Sequence, residues 1–334
     1  MRQLLRIKEF TWEPIVGLEP LIVADIGGTY ARFGVATADD KGMSIDRKCQ
    51  LPCADFADFE SAFASYREEL HVADVRQACV AVAGPVVSGT ASLTNLDWRI
   101  SGKKVCRDFG LERFEVVNDF AAVACAVPLL VPADLSTVSK GKKQTNAPIA
   151  VIGPGTGLGV AALLLIRDEW VVVPSEGGHA SLASTGPLEA EIIARIGGGY
   201  EVSAETLLSG AGIVRIYDAL CAISGKVIVY HSPEQVTEAA AVGSDELAVS
   251  AINVFCRLLG GLVGNVALTY GAIGGVYLAG GILPTIREFL LQSDFVSCMK
   301  NKGAMSKYLE CLSVELITTP NAGLIGAASW VENH

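Results

Sequence analysis

The 334-residue sequence has few charged residues and no run of basic ones. Charged residues make up 19% of the chain, and the formal net charge is −10. Nucleic acids and anionic membranes are bound through clustered lysine and arginine, so we expect neither among the partners. With 51% hydrophobic residues the chain can bury a large core. Its length suits about two domains of roughly 150 residues each.

The nine cysteines include no C-x-x-C motif. Their number is odd, and several lie in apolar runs such as "ACVAVAG" and "VACAV". This pattern favours free thiols in a reducing compartment over disulfides or a zinc site. The N-terminal "MRQLLRIKEFTWEP" lacks the apolar core of roughly 7–15 residues that a signal peptide has. We therefore expect a cytoplasmic protein.

Residues 258–285 contain no charge, and this stretch is longer than the roughly 20 residues that a membrane-spanning helix needs. It is rich in glycine, however, and its pattern changes from helix-like to strand-like partway along. We predict a core helix followed by a core strand instead of a membrane span. Gly260 and Gly264 lie one turn apart and predict that the helix packs closely against the sheet.

Strand-like and helix-like patterns alternate along most of the chain. Apolar runs such as "QACVAVAG" and "APIAVIG" alternate with amphipathic runs such as "DFESAFASYREEL" and the longer "AETLLSGAGIVRIYDALCAI". This alternation predicts an α/β fold with largely parallel sheets covered by helices.

A weak internal repeat links two parts of the chain. "LIVADIGGTYARFGVAT" and "IAVIGPGTGLGVAALLL" share a buried strand, a glycine-rich turn containing threonine, and a second strand. The repeat lies about one domain apart. Two similar halves of this form would place two phosphate-binding turns face to face across a cleft.

Neither of two common nucleotide-binding motifs is present. Walker A requires Gly-Lys followed by Ser or Thr, but every Gly-Lys here is followed by Lys or Val. "GPGTGLGV" departs from the dinucleotide pattern G-x-G-x-x-G and leads into a strand, not a helix. A strand–turn–strand phosphate site remains, since glycine lets backbone N–H groups approach phosphate oxygens. Ordinary hairpin turns would give the same pattern.

The proposed phosphate-binding residues are Gly27, Gly28 and Thr29 in the first turn and Gly155, Thr156 and Gly157 in the second. Asp25 would project from the end of the first strand. There it could orient water around a Mg²⁺ held mainly by nucleotide phosphates. In the alternative interpretation, Asp25 simply caps a hairpin.

In "FEVVNDFAAVACAV" a buried strand runs into a helix through Asn118 and Asp119. Asn or Asp at such a junction is commonly an N-cap. A functional alternative is that Asp119, at the carboxyl edge of a parallel sheet, accepts a proton from a substrate hydroxyl.

Other polar residues lie at turns and helix starts. "PSEGGHAS" places Glu176 and His179 around two glycines, which indicates a turn presenting both to a polar ligand. A metal site is not favoured, because the chain has four histidines and no second partner at ligand spacing. Ser203 would be an N-cap with Glu205 in the first helical turn, where a structural charge is the alternative.

Asn95 lies in a polar break after a strand, where a turn residue is the alternative interpretation. Together with the residues above, it completes a rich set of hydrogen-bond acceptors and amide donors. Sugars need such a set, because each hydroxyl both donates and accepts.

These residues resemble a known family, the bacterial hexokinase-type glucokinases of the actin-like and sugar-kinase superfamily. The resemblance rests on an ordered set of segments: "ADIGGTYAR", "LTNLDW", "VVNDFAAVACAVP", "GPGTGLGVA", "EGGHA", "SAETLLSG" and "GGVYLAGGI". It implies a two-domain actin-like, ribonuclease H-like α/β fold with a central cleft. It also implies ATP-dependent phosphorylation of glucose to glucose 6-phosphate, with Mg²⁺, by a homodimer.

The resemblance assigns roles to particular residues. Asp119 would be the catalytic base. The glucose-binding residues would be Asn95, Asn118, Asp119, Glu176, His179 and Glu205. The nucleotide-binding residues would be Ala24, Asp25, Ile26, Gly27, Gly28, Thr29, Gly155, Thr156 and Gly157, with Gly280 and Gly281 near the adenosine. Asp25 would hold the metal through water.

The resemblance also implies domain limits. A small α/β domain would cover residues 1–128 and 319–334, with the first phosphate turn and the C-terminal helix. A large α/β domain would cover residues 129–318, with the second phosphate turn and part of the sugar site.

Two positions depart from the family's pattern: Tyr30 stands where Asn is usual, and Pro154 replaces a small residue. No cysteine-rich zinc motif follows His179, since the next cysteine is Cys221, so membership of the ROK-type kinases is not expected. Two alternatives remain open: a kinase for another hexose, and a non-catalytic sugar-binding regulator.

Overall fold

A computed structural model describes residues 19–39, 42–93, 96–167 and 169–333. Asn95 lies outside these residues. The strands are β1 (Leu21–Ile26), β2 (Tyr30–Asp39), β3 (Gly42–Pro52), β4 (Gln77–Val82), β5 (Val86–Val87), β6 (Thr90–Ser92), β7 (Arg99–Ser101), β8 (Arg113–Asn118), β9 (Leu135–Ser139), β10 (Ile149–Pro154), β11 (Leu158–Ile166), β12 (Glu169–Ser175), β13 (Gly275–Leu278) and β14 (Val314–Ile317).

The helices alternate with these strands along much of the chain. They are α1 (Phe59–Glu69), α2 (Gly102–Phe109), α3 (Asp119–Ala126), α4 (Pro187–Gly197), α5 (Ala204–Leu207), α6 (Gly210–Ser224), α7 (Pro233–Val242), α8 (Glu246–Tyr270), α9 (Ile282–Thr285), α10 (Arg287–Gln292), α11 (Phe295–Lys300), α12 (Ser306–Leu309) and α13 (Ala322–Asn333).

The chain divides into two compact units. The first contains the described residues within Met1–Val131, Leu165–Val172 and Thr319–His334. The second contains those within Pro132–Leu164 and Val173–Thr318. The domain limits implied by the resemblance, at residues 128 and 318, stay a prediction.

The first unit is built on a five-stranded sheet in the order β3-β2-β1-β4-β8. Strands β1, β4 and β8 are parallel, and β2 and β3 join as antiparallel hairpin strands. Ile22, Ala24 and Ile26 pack into an aromatic-rich core on one face of β1. Leu21 and Val23 pack on the other face, with α3 and α13. Burial on both faces explains why β1 is a continuous apolar run.

The parallel strands of the first sheet are in register at their carboxyl ends. Ile26 of β1 is paired with Val82 of β4, and Val82 is paired with Asn118 of β8. The turn after β1 and the junction before α3 therefore lie on the same edge of the sheet, separated by one strand.

The second unit contains most of a six-stranded sheet in the order β12-β11-β10-β13-β14-β9. Strands β10, β13 and β14 are parallel, whereas β11 and β9 pair antiparallel to their neighbours. The parallel pairing that strand–helix alternation predicts is thus found in the centre of each sheet. Antiparallel strands extend the sheets outward.

Helix α8 is the central helix of the second unit's core. It is long and apolar enough to cross a membrane, with a stretch of mean hydropathy 1.7, but 72% of that stretch is buried inside the protein. Its side chains belong to the largest hydrophobic cluster among the described residues. The α8 segment is packed as the predicted core helix, followed by strand β13.

The two glycines of α8 contact a different element from the one predicted. A β-carbon on Gly260 would collide with the backbone oxygen of Phe295, and one on Gly264 with that of Met299. Both partners belong to α11, so the glycines allow a close helix–helix contact, and the prediction of contact with the sheet was wrong. The spacing of two glycines marks a close approach but carries no information on which neighbour approaches.

The predicted long helix around Glu205 is broken into α5 and α6. Ser209 starts α6 by accepting a hydrogen bond from the Gly212 N–H at 3.1 Å. Ser203 does precede α5, but its side chain caps no helical N–H and instead shares a hydrogen bond with the Thr206 hydroxyl. Ser203 is thus the N-cap residue of α5, with Glu205 in the first helical turn as predicted, whereas the side-chain capping bond is made by Ser209 at the start of α6.

Gly260→Ala should destabilise the protein, because the new methyl group would force α8 and α11 apart. Overpacking a core typically costs about 1–3 kcal/mol, which outweighs the gain of about 1 kcal/mol in helix propensity. Urea unfolding measures the difference. Thr269→Ala, at an exposed position of the same helix, is the control and should change the free energy of unfolding by less than about 0.5 kcal/mol. A Gly260→Ala variant as stable as wild type would contradict the close contact.

Candidate active site

The first glycine turn is held by hydrogen bonds from both sides. The Gly27 N–H donates to the Tyr30 carbonyl oxygen at 3.0 Å, and the Cys53 N–H donates to the Thr29 carbonyl oxygen at 2.9 Å. The Cys53 thiol also donates to the Gly27 carbonyl oxygen at 3.6 Å. Within the described residues, the N–H groups of Gly28 and Thr29 make no hydrogen bond. Two adjacent backbone donors are thus available to an anion.

Two residues next to this turn contribute no side chain to it. Ala24 and Ile26 are fully buried in the core of the first unit. The carbonyl oxygen of Ile26 accepts a hydrogen bond from the Ala83 N–H at 3.1 Å. A ligand at the turn would meet at most the backbone of these two residues.

Asp25 is partly buried beside the first turn. It lies opposite Arg32 in the β1–β2 hairpin, with Arg32 Nη1 3.4 Å from Asp25 Oδ2. Burial raises the pKa of the Asp25 carboxyl, and the Arg32 guanidinium opposes that rise. A β-carbon on Gly323 would lie only 2.9 Å from Asp25 Cγ, so the start of α13 closes over the carboxylate.

Asn118 is the N-cap of α3. Its Oδ1 accepts hydrogen bonds from the N–H groups of Phe120 and Ala121 at 3.0 and 3.1 Å. Its Nδ2 donates to the Gly84 carbonyl oxygen at 3.1 Å, beyond the end of β4. The capping interpretation is confirmed, and the amide nitrogen keeps one further hydrogen for a ligand.

Asp119 is the first residue of α3, at the carboxyl edge of the first sheet. Its Oδ1 accepts a hydrogen bond from the Phe120 N–H at 2.9 Å. The helix N-terminus favours the ionised carboxylate electrostatically. Asp119 and Asp25 therefore lie on the same edge of one sheet, each at the end of a parallel strand.

The second glycine turn connects β10 and β11. The Gly155 N–H donates to the Gly157 carbonyl oxygen at 2.8 Å, and the Gly210 N–H donates to the Gly155 carbonyl oxygen at 2.9 Å. The start of α6 thereby holds the turn in place. In the described part of the chain, the N–H groups of Thr156 and Gly157 have no hydrogen-bond partner, as in the first turn.

Gly280 lies against this second turn. Its φ is 92°, and a β-carbon there would collide with the Pro154 carbonyl oxygen. The Ala279 N–H donates to the Ile152 carbonyl oxygen at 2.9 Å, which extends the β10–β13 pairing up to this point. Gly281 is the N-cap residue that precedes α9, and a β-carbon on it would contact nothing within 4 Å.

Glu176, His179 and Glu205 come together in the second unit. His179 Nε2 is 3.9 Å from Glu176 Oε2, and His179 Nδ1 is 4.0 Å from Glu205 Oε1. The side chains of Glu176 and His179 are 73% and 61% exposed, which leaves them accessible to a ligand. No group of three or more His, Cys, Asp and Glu residues suited to a metal ion occurs in the described ranges.

Glu205 also connects this polar group to the second glycine turn. Its Oε2 accepts a hydrogen bond from the N–H of Leu158 at 2.9 Å, and Leu158 directly follows the turn. Sequence reasoning did not detect this bond, because the two residues are far apart along the chain.

Several supporting residues escaped the sequence analysis. They are Arg32, Cys53, Gly210 and Gly323. Arg32 lies opposite Asp25 because the hairpin turns at residues 27–30, whereas the predicted turn at residues 27–29 would pair position 25 with position 31. The other three approach the site through tertiary packing alone.

Comparisons with known proteins show the family of the chain. A family model described as glucokinase matches residues 22–334. The glucokinase of Saccharophagus degradans is 40% identical over 315 residues, which cover 94% of this chain and 98% of that protein. The glucokinase of Neisseria meningitidis serogroup C is 38% identical over 316 residues, covering 94% and 95%.

Solved structures share the fold. The crystal structure of a glucokinase from an Antarctic psychrotroph superposes with a TM-score of 0.86 at 38% identity, covering 95% of this chain and 100% of that one. A ROK family glucokinase from Streptomyces griseus, in complex with glucose and AMPPNP, has a TM-score of 0.61 at 22% identity, covering 93% and 99%. The mixed α/β fold is that of sugar kinases, and the chain belongs to the glucokinase family.

Proposed function

We propose that the protein transfers the terminal phosphoryl group of ATP to the 6-hydroxyl of glucose. One observation carries the proposal: in a chain of the glucokinase family, two glycine turns each expose two backbone N–H groups that have no hydrogen-bond partner among the described residues. Backbone amides in this arrangement suit phosphate oxygens, and glycine lets the oxygens come close.

The glucose-binding roles that the resemblance assigns fall on polar residues of each unit. Glu176, His179 and Glu205 form one group of acceptors and donors in the second unit. In the first unit, Asn118 offers the free hydrogen of its amide, next to Asp119. Asn95 is carried over from the resemblance alone.

Asp25 suits a Mg²⁺ ion that is bound chiefly by phosphates. Such a site needs one or two carboxylates from the protein, not a closed cage, and the first turn supplies one carboxylate beside two free amides. Mg²⁺ would neutralise charge on the transferring phosphoryl group. Asp25 would orient water around the ion.

Asp119 would act on the sugar hydroxyl. An ionised carboxylate at the start of α3 can accept the proton that the 6-hydroxyl loses as it attacks the phosphorus. Phosphoryl transfer has a loose transition state, so positioning and electrostatic stabilisation contribute more than base strength. The Phe120 N–H fixes the orientation of the carboxylate.

Tyr30 offers little support for a non-catalytic regulator. Its carbonyl oxygen closes the first turn, and this bond does not depend on the side chain. Tyr30 is 40% exposed. The bond that closes the turn therefore requires no particular side chain at position 30, which favours an active kinase.

We also propose a cytoplasmic homodimer. The cytoplasm supplies ATP and keeps thiols reduced, and all nine cysteines are free. The dimer is carried over from the resemblance, and analytical ultracentrifugation tests it.

A coupled assay tests the proposed reaction. Glucose, mannose and N-acetylglucosamine are each offered with ATP and Mg²⁺, and polyphosphate replaces ATP in a parallel set. We expect the highest kcat/KM with glucose and ATP. Faster turnover of another sugar would favour the alternative hexose kinase, and glucose binding without turnover would favour the regulator.

Asp119→Asn should lower kcat by about 10²–10⁴-fold, the usual effect of losing a general base. Asn keeps the size of the side chain and can still accept from the Phe120 N–H, so glucose binding should change much less. Steady-state kinetics and calorimetric titration measure the two effects. Asp58→Asn, at the N-cap of α1, removes a structural carboxylate at another helix start and should keep kcat within about twofold. A retained kcat in Asp119→Asn would exclude Asp119 as the base.

Asp25→Asn should have opposite effects on the stability of the ligand-free protein and on its activity. Burial raises the pKa of the wild-type carboxyl, so the folded protein holds this proton more tightly than the unfolded chain does. The resulting stabilisation is present at acid pH and is lost as the pH rises through the raised pKa. Asn never ionises, so at neutral pH the ligand-free variant should be at least as stable as wild type. The difference in free energy of unfolding between variant and wild type should become smaller toward acid pH.

The same variant should lose at least about tenfold in kcat/KM for ATP with Mg²⁺, since an amide attracts cations far less than a carboxylate. Thermal unfolding over a pH series and steady-state kinetics provide the two measurements. A variant clearly less stable than wild type at neutral pH would show that the ion pair with Arg32 outweighs the effect of burial.

A further inference from the structure

The two oxygens of the Glu205 carboxylate have different neighbours. Oε1 lies 4.0 Å from His179 Nδ1, within the group proposed to bind the sugar. Oε2 accepts the hydrogen bond from the N–H of Leu158, at the end of the second glycine turn. One carboxylate thus connects the proposed sugar and phosphate regions of the second unit.

The two glycines of that turn differ in their surroundings. A β-carbon on Gly157 would lie 2.5 Å from Glu205 Oε2 and 3.3 Å from Glu205 Cδ. A β-carbon on Gly155, two residues earlier, would contact nothing within 4 Å. Neither glycine has the positive φ that disfavours other residues. The requirement for glycine at position 157 is therefore steric and comes from Glu205.

We propose that Gly157 is a positioning residue for the sugar, in addition to its place in the phosphate turn. By lacking a side chain it leaves room for the Glu205 carboxylate between the turn and His179. This inference rests on the proposed function, because it takes Glu205 to contact glucose. The consequence is that Gly157, a residue of the proposed nucleotide-binding turn, also affects the affinity for the sugar.

A methyl group at position 157 would displace Glu205 and leave the fold intact. The atoms it meets are the end of a flexible side chain, which can rotate away, and not backbone. The displaced carboxylate loses its bond to the Leu158 N–H and leaves its position beside His179. Sugar hydroxyls that pair with a fixed carboxylate would then bind more weakly.

The same contact predicts that the two substrates assist each other. Glucose on Oε1 would fix the carboxylate, and the fixed carboxylate would hold Leu158 and the adjoining turn in the form that binds phosphate. Such coupling is reciprocal, so each ligand should raise the affinity for the other by the same factor.

The test compares Gly157→Ala with Gly155→Ala in the full-length protein. Glucose Kd is measured by calorimetry without nucleotide, and KM for ATP is measured separately. Gly157→Ala should raise glucose Kd about tenfold, which is the loss of one hydrogen bond to a charged group. Gly155→Ala should leave glucose Kd within about twofold, because its methyl group would not contact Glu205 or any other residue. It should raise KM for ATP, because the methyl group would occupy the open space beside the turn where the phosphates are proposed to bind.

A double-mutant cycle with Glu205→Asp identifies the cause. Shortening the side chain withdraws the carboxylate from position 157, so Gly157→Ala should then change glucose Kd by less than about twofold. Additive effects in the cycle would overturn the proposal. An unchanged glucose Kd in Gly157→Ala would overturn it too, as would a variant that fails to fold.

A second measurement leaves Gly157 untouched. Glucose should tighten the binding of a non-hydrolysable ATP analogue to the wild type, and Glu205→Asp should abolish most of this effect. Equal coupling in both proteins would contradict the proposal. If the wild type itself fails to bind glucose, the proposed function has failed, which is distinct from failure of the Gly157 contact.

Discussion

The in-register pairing of parallel strands is the constraint on which the candidate site residues of each unit depend. In the first unit, pairing of Ile26, Val82 and Asn118 brings the ends of β1, β4 and β8 level. A shift by one residue would turn every side chain of a strand to the opposite face and would move the strand ends out of level. In the second unit, the β10–β13 pairing brings Gly280 against the second turn. The chemistry therefore lies at sheet edges whose alignment is fixed by core packing.

The polar side chains at these edges are fixed by hydrogen bonds or ion pairs that use only part of their hydrogen-bonding capacity. Asn118 uses its oxygen for the helix cap and one N–H for Gly84, and one N–H remains. Asp25 is buried enough to raise its pKa, yet it faces Arg32, which favours the charged form. A site of this kind is ordered before ligand arrives, so less conformational freedom is lost on binding.

How far the sequence predicts this molecule depends on whether a signal is local. The strand–turn–strand form around Gly27 and the cap at Asn118 are encoded within a few neighbouring residues, and both are found in the structure. The break at Ser209 was missed because a helix-forming pattern continues across it and the capping bond decides the outcome. The partner of Gly260 was wrongly predicted, since a stripe of small residues marks a close approach without naming the neighbour.

Glycine-rich turns show most clearly why a motif underdetermines its function. Gly155 and Gly157 are alike in sequence, yet one borders open space and the other borders a carboxylate from α5. The first is free to meet a ligand, whereas the second is constrained by the protein itself. A glycine in a sequence pattern shows only that no side chain is present at that position. The reason for the glycine is the tertiary contact that occupies the space a side chain would fill. For Gly157 that contact is Glu205, so a turn recognised by its fit to phosphate also bears on the residue proposed to hold the sugar.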